Sequence, residues 1–357
     1  MMLLRLTLLC STVLVMSCCC HKEDQHPYVN NPDSVAWSVF QHITAVSSGA
    51  AAWESWPFAI EAFGDKRTAL ESSKGDSRHT HARSDSLVFG PSVENTARLL
   101  VPQEARRILS VPIQLITPHD QFLEEVRLNE DAFAYAITHQ LNKKEVRDSL
   151  AKTAGGIAFP PASIFVKGQW VLVDSTADQE EHRVITIGPS QSRLLPKEYW
   201  ELSVLHISSK QLPMWFWATF EDSTQMLDKD QYPVNDAKQK YRPPSLNATE
   251  WRHFVLVGTQ VSFTDTRGKP IVLGNSQIES GCVEVSSCMT CHAQATFGEP
   301  ILCGSKTCGK VGSPDPAWFK GRYQADSVWS LATLETTGSA IVSPCAQRFH
   351  YGPQYSR

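Results

Sequence analysis

The stretch that most restricts this chain is the pentapeptide Cys288-Met289-Thr290-Cys291-His292, near the C-terminal end of 357 residues. Two thiols separated by two residues can add to the two vinyl groups on one edge of a porphyrin. The adjacent His292 is then carried under the ring, where an imidazole nitrogen can take the proximal position on iron. The same spacing serves a redox dithiol or half of a zinc site, with a histidine following by chance. One covalent haem is the expectation, because the motif coincides with an export signal and so with a compartment where such groups are attached.

That signal occupies residues 1–17. Arg5 precedes an apolar run from Leu6 to Met16, too short to span a bilayer as a stable helix. Val15-Met16-Ser17-Cys18 has the form of a lipoprotein box, with a small residue before the cysteine to be lipidated, although Met16 is not a favoured residue there. Cys18 is therefore the expected lipid site, and an ordinary secretory signal is the competing reading. Both place the body outside the cytoplasm, in the periplasm or cell envelope. The lipid adds a membrane tether, followed by a polar segment over 18–33.

Export also sorts the cysteines. With Cys288 and Cys291 assigned to haem, Cys282, Cys303, Cys308 and Cys345 remain in the C-terminal segment. In an oxidising compartment they are candidates for two disulfides, with three possible connectivities. Zinc held by Cys288, Cys291, Cys303 and Cys308 is the alternative, but it requires reduced thiols and leaves His292 without a task.

The balance of 42% hydrophobic and 20% charged residues with a net charge of -4 gives no basic footprint for nucleic acid. Periodicity predicts a helix from about Asp33 with Trp37, Phe40 and Ile43 on one stripe. A second begins at Asn129, with Phe133, Ile137 and Leu141 aligned, and polar helix continues over 143–152. Phe159-Pro160-Pro161 breaks the chain, and Ile164 to Val173 reads as strand, as do 202–208, 214–220, 253–264 and 270–273. The expected fold class is α+β: a mainly helical N-terminal region over 34–154 and a strand-rich region over 155–357 carrying the haem segment. The adjacent carboxylates Glu124 and Glu125 read as a solvated face.

Several blocks carry a resemblance to a known family. They are Ser286 to Ala293 around the pentapeptide, Trp53-Glu54-Ser55-Trp56, Phe159 to Trp170, Leu205 to Lys210, Pro213 to Glu221, Val257 to Phe263 and Ala325 to Ser330. Together they resemble large monohaem c-type cytochromes of bacteria. The resemblance implies haem binding and a role as a cytochrome, and little beyond that. The chain departs from it at Asp222, where several relatives are expected to carry histidine.

The sixth iron ligand is then the open question. No methionine follows His292, so the remaining candidates are His206, Met214, Met226, His253 and His350, or no protein ligand. His206 leads, since alternation turns it away from Leu205 and Ile207. Met214 sits in an aromatic block where core packing is the default.

Electron transfer with a partner protein or a small-molecule oxidant or reductant is the leading expectation. The alternatives are a peroxidase-like haem enzyme or small-ligand binder, with Trp217 and Glu221 beside an open iron position, and a zinc-stabilised exported lipoprotein. There is no Gly-rich phosphate loop and no nucleophile elbow. Whether the chain is an enzyme stays open.

Overall fold

A computed structural model describes residues 27–47, 49–63, 122–173, 181–187, 198–227, 232–279, 283–298 and 311–332. The signal segment, Cys18, Cys282, Cys303, Cys308, Cys345 and His350 lie outside the described residues. In chain order come helices α1 (Pro27–Asn30) and α2 (Pro32–Ile43), the small hairpin β1 (Val46–Ser47) and β2 (Ala50–Ala51), and α3 (Ala59–Phe63). Strand β3 (Phe122–Leu128) precedes α4 (Glu130–Thr138) and α5 (Lys144–Ala151). Then follow β4 (Ile164–Val173), β5 (Val184–Ile187), β6 (Glu198–Ser209), β7 (Phe216–Asp222), α6 (Asp236–Gln239) and β8 (Phe254–Gln260). Helix α7 (Cys288–Ala293), a hairpin of β9 (Thr296–Gly298) and β10 (Arg322–Gln324), and α8 (Trp329–Ala332) complete the described part.

The fold is α+β around a six-stranded antiparallel sheet of order β3-β4-β6-β7-β8, with β5 also paired to β6. Alternation along β6 and β7 divides the sheet into two faces. Leu205, Ile207, Phe216, Ala218 and Phe220 point to one face, where Trp37, Phe40 and Ile43 of α2 pack on them. The first helix therefore buries the stripe its periodicity predicts, extended by Ala36. The opposite face carries Phe165 and Trp217 and packs against Met289, Phe159, Trp215 and the α4 region. Strand β7 is covered on both faces and buried throughout.

Two bulges keep this division in phase. Gln169 pairs with Val204 and Trp170 with Leu202, so Ser203 is the extra residue, and its hydroxyl donates to the Gln169 carbonyl at 3.1 Å. Beyond it the inward positions change from Leu205 and Ile207 to Leu202 and Trp200, which stay in the same core. In β8, Thr219 pairs with Gly258 and Phe220 with Leu256, which leaves Val257 extra. Phe254 and Leu256 face α2, and after the bulge Thr259 faces it instead, donating to Asp33 at 2.7 Å. A bulge re-aims the side chains beyond it. Here it turns Gln260 to the far face.

Several expectations are corrected. The region expected to be mainly helical contributes β3, which pairs with β4 along its length. Its charged residues hid it: Glu125 is buried, not solvated, and holds Arg127 at 2.8 Å, while the guanidinium covers the Phe58 ring at 3.7 Å. The second helix takes Asn129 as N-cap, accepting from the Ala132 amide. It buries Ala132 and Ala136, however, and leaves Ile137 48% exposed, because alanines allow the closer approach to β3 and β4. Gln140, in the left-handed region at φ 50°, separates it from α5. The stretch 270–273 forms only isolated bridges, Thr264 with Pro270 and Leu273 with Ser287. Pro270 has no N–H for a ladder.

Candidate functional site

Helix α7 is the Cys-x-x-Cys-His segment, and neighbouring elements grip it along one side. Ser287 caps it, accepting from Thr290 N at 3.2 Å. Gln260, delivered by the β8 bulge, bonds the Ser287 hydroxyl at 2.9 Å and accepts from Met289 N at 3.1 Å. Thr290 donates to the Gly312 carbonyl at 2.8 Å and accepts the Gly312 amide at 3.0 Å. Met289, Thr290 and Ala293 are thereby buried. Cys288, Cys291 and His292 stand at i, i+3 and i+4, the spacing that puts side chains on one helical face. Cys288 is half-buried and Cys291 exposed, and both are free thiols.

The electrostatics around these groups all favour neutral forms. Burial, with Glu279 next in importance, pushes the Cys288 thiol well above its ordinary value, whereas the Cys291 thiol is open to solvent. Cys288 is therefore protonated near neutral pH, the reverse of the lowered thiol pKa that the attacking sulfur of a dithiol exchange centre needs. Burial pulls His292 down to about 4, so its ring is neutral. Its Nδ1 lies 2.9 Å from the Ser327 carbonyl. A carbonyl only accepts, so Nδ1 carries the proton and Nε2 carries the lone pair, the form that ligates a metal.

The carbonyl that sets this tautomer sits on an unusual turn. Asp326 and Ser327 are consecutive non-glycine residues in the left-handed region, at φ 48° and 62°. The Asp326 carboxylate holds the turn, accepting from Phe159 N at 2.7 Å, from the Lys210 ammonium and from Trp215 Nε1 at 3.3 Å. Trp215 is itself left-handed at φ 64°, and its indole is buried against Phe159 and Phe165.

The sheet face under α7 carries a row formed by cross-strand register: Lys167 on β4, His206 on β6, Thr219 on β7 and Gly258 on β8. His206 points away from Leu205 and Ile207, as alternation requires. Its Nε2 is buried with no hydrogen-bond partner. Burial first, then the charges of Lys167 and His292, pull its pKa down to about 3. Trp217 lies on the same face with its ring 4.2 Å from the His292 ring. Glu221, four residues on and on the same face, is fully buried and bonded by Ser276, and burial raises its carboxyl to about 7.

Other residues singled out in the sequence lie elsewhere. Met214, expected in the core, is 38% exposed on the turn before β7, where its carbonyl accepts from Trp217 Nε1. Met226 is buried just after β7. His253 stands at the start of β8 beside Glu181. Sequence reasoning missed the Ser327 carbonyl and Asp326, because their roles come from backbone conformation and not from a residue pattern.

Groups of three donors within 4.8 Å of one another exist among the described residues, and none contains Cys288, Cys291 or His292; Cys303 and Cys308, the other thiols of the zinc alternative, lie outside the described residues. Comparison with known proteins finds no family model, no curated protein and no solved structure that matches this chain.

Proposed function

We propose that the chain is an exported c-type cytochrome that binds one covalent haem through Cys288 and Cys291, with His292 as proximal ligand, and works in electron transfer. The observation that carries this reading is α7 itself, where two thiols and an imidazole with its Nδ1 proton fixed stand at helical spacing. Bound haem supplies a one-electron couple whose potential depends on axial ligand and burial. The chain's part is to hold the ring at both ends. Ser327 keeps Nε2 of His292 unprotonated, and His206 is the first choice for the second axial ligand, because a buried imidazole nitrogen without a partner is costly unless something completes it. Cys18 is the lipid anchor in this reading, the protein lies in the periplasm or cell envelope, and its partner is a redox protein or a small oxidant or reductant.

A second reading has one observation in its favour. Glu221 has a pKa near neutrality on the same face as His206, which suits a proton donor beside an open iron position. Expression with the cytochrome c maturation machinery, followed by acid and organic-solvent extraction, tests attachment. Haem that stays with the protein, and is lost in a Cys288→Ala, Cys291→Ala variant, supports the proposal. A colourless protein with stoichiometric zinc refutes it. Low-spin spectra indifferent to carbon monoxide, turned high-spin by His206→Ala, favour the electron carrier. Ready carbon monoxide binding by the wild type favours the haem enzyme.

A further inference from the structure

A second cluster of ligand-type side chains stands apart from the haem motif, where β6 begins beside the end of β7 and the chain enters β5 and β8. We propose that it binds a divalent first-row transition ion through His182, Glu201 and Asp222, with Glu181 and His253 beside them. His182 Nδ1 lies 3.1 Å from Glu201 Oε1 and 3.0 Å from Asp222 Oδ2. For bonds of about 2.1 Å, the edge of an octahedron is about 3.0 Å and that of a tetrahedron about 3.4 Å. His182 Nδ1 is therefore at the spacing of a neighbouring ligand from each carboxylate oxygen, and the three donor atoms all lie within 4.8 Å of one another.

Two further observations point the same way. Asp222 is fully buried, and its other oxygen, Oδ1, is held by Thr224 N at 2.8 Å and Thr224 Oγ1 at 2.6 Å, which leaves Oδ2 aimed at His182. Such outer hydrogen bonds are what orient a ligating carboxylate. His253 stacks on His182 with ring centroids 4.7 Å apart, and its Nε2 is buried without a hydrogen-bond partner, 3.6 Å from Glu181 Oε2. Glu181, His182 and His253 form a second trio whose donor atoms all lie within 4.8 Å, sharing His182 with the first. Arg252 fixes Glu181 from the side at 2.9 Å.

The donor set selects the ion. Imidazole nitrogen mixed with carboxylate oxygen suits manganese, iron, cobalt or zinc, whereas calcium takes six to eight oxygens. No thiolate takes part, so the site is chemically distinct from Cys288 and Cys291. A bound ion would join segments that are far apart in sequence, fixing the start of β6 and the end of β7 to the starts of β5 and β8.

The same three atoms could share a proton instead of a cation, and the experiment separates the two. Full-length protein is stripped with chelator and titrated with cobalt(II), followed by absorption spectroscopy and thermal melting. The expected result is saturable binding of one equivalent without a thiolate-to-cobalt charge-transfer band, accompanied by a rise in melting temperature. Asp222→Asn and His182→Gln should abolish it. Thr224→Ala, which keeps every ligand, should weaken it about 10–100-fold. Melting of each variant in chelator shows that it is folded. Absence of binding overturns the proposal, as does binding that shows a thiolate band and survives Asp222→Asn and His182→Gln.

Discussion

Ser327→Gly should stabilise the protein, and Asp326→Ala should destabilise it by several times as much. A left-handed conformation costs an L-residue about 1–2 kcal/mol, through the approach of Cβ to the following carbonyl. Ser327, at φ 62°, bears that cost, and its neighbour at φ 48° bears a smaller one, since aspartate tolerates this region better. Glycine removes the clash at 327 but loses more freedom on folding, worth about 0.5–1 kcal/mol. The net gain is about 0.5–1 kcal/mol, with the carbonyl still on His292. Asp326→Ala acts differently. It removes the acceptor of the Phe159 amide, the Lys210 ammonium and the Trp215 indole together, and Lys210 is only 11% exposed. Breaking a buried pair from one side costs about 3–5 kcal/mol. Urea denaturation gives both free energies, and nitrogen NMR of the imidazole reports the tautomer. If Ser327→Gly lowers the midpoint, or Asp326→Ala costs less than about 1 kcal/mol, the account of a strained turn locked by one carboxylate is wrong.

Acid should weaken the haem-free, chelator-treated protein. His206 and His292 are depressed from 6.5 to about 3 and about 4, so the unfolded chain binds the extra protons: stability is intact above about pH 6.5 and falls as the pH drops below it. At pH 5 each histidine costs about 2 kcal/mol. Glu221, raised to about 7 from 4.5, acts in the opposite sense and adds stability as the pH falls across that interval. Urea midpoints at pH 7 and 5 should therefore show a shallower loss in His206→Gln and a steeper one in Glu221→Gln, and equal slopes would contradict the assignment. Gly258→Ala should cost about 1–3 kcal/mol, because a Cβ there would meet Leu273 Cδ1 at 2.6 Å and Lys238 Nζ at 2.5 Å; an unchanged melting temperature would count against this packing. Gln260→Ala should cost about 1–2 kcal/mol by freeing Ser287 and the Met289 amide, and amide exchange in α7 should rise more than in β4.

What could be read from the sequence was local. The α2 stripe follows from large apolar residues at helical spacing, and β4 follows from β-branched and aromatic residues after two prolines. The orientation of His206 needed only the alternation of its neighbours. Strand β3 was hidden because Glu125 and Arg127 look like solvent-facing residues until each is seen to satisfy the other in the interior. Helix α4 was legible in part: Leu141 is buried and Phe133 packs on the core as the stripe predicts, but Ile137 is exposed and the buried positions inside the helix are Ala132 and Ala136. The His182, Glu201, Asp222 and His253 cluster has no sequence signature, since its members come from separate strands and loops and share no spacing. The bulges at Ser203 and Val257 are likewise invisible, yet the second decides that Gln260 reaches α7.

The bond between Asp33 and Thr259 joins residues 226 positions apart, and it orders events in time. Helix α2 is made early in synthesis, but the surface it covers is complete only when β8 exists. Until then its tryptophan and phenylalanine remain exposed to water or to a chaperone. Closing so long a loop is entropically expensive and makes folding slow. The Cys-x-x-Cys-His segment follows β8 in the chain, so wherever the chain emerges N-terminus first the wall it rests on can form before the thiols arrive. Attachment of a large planar group would then take place against a finished surface instead of a collapsing chain.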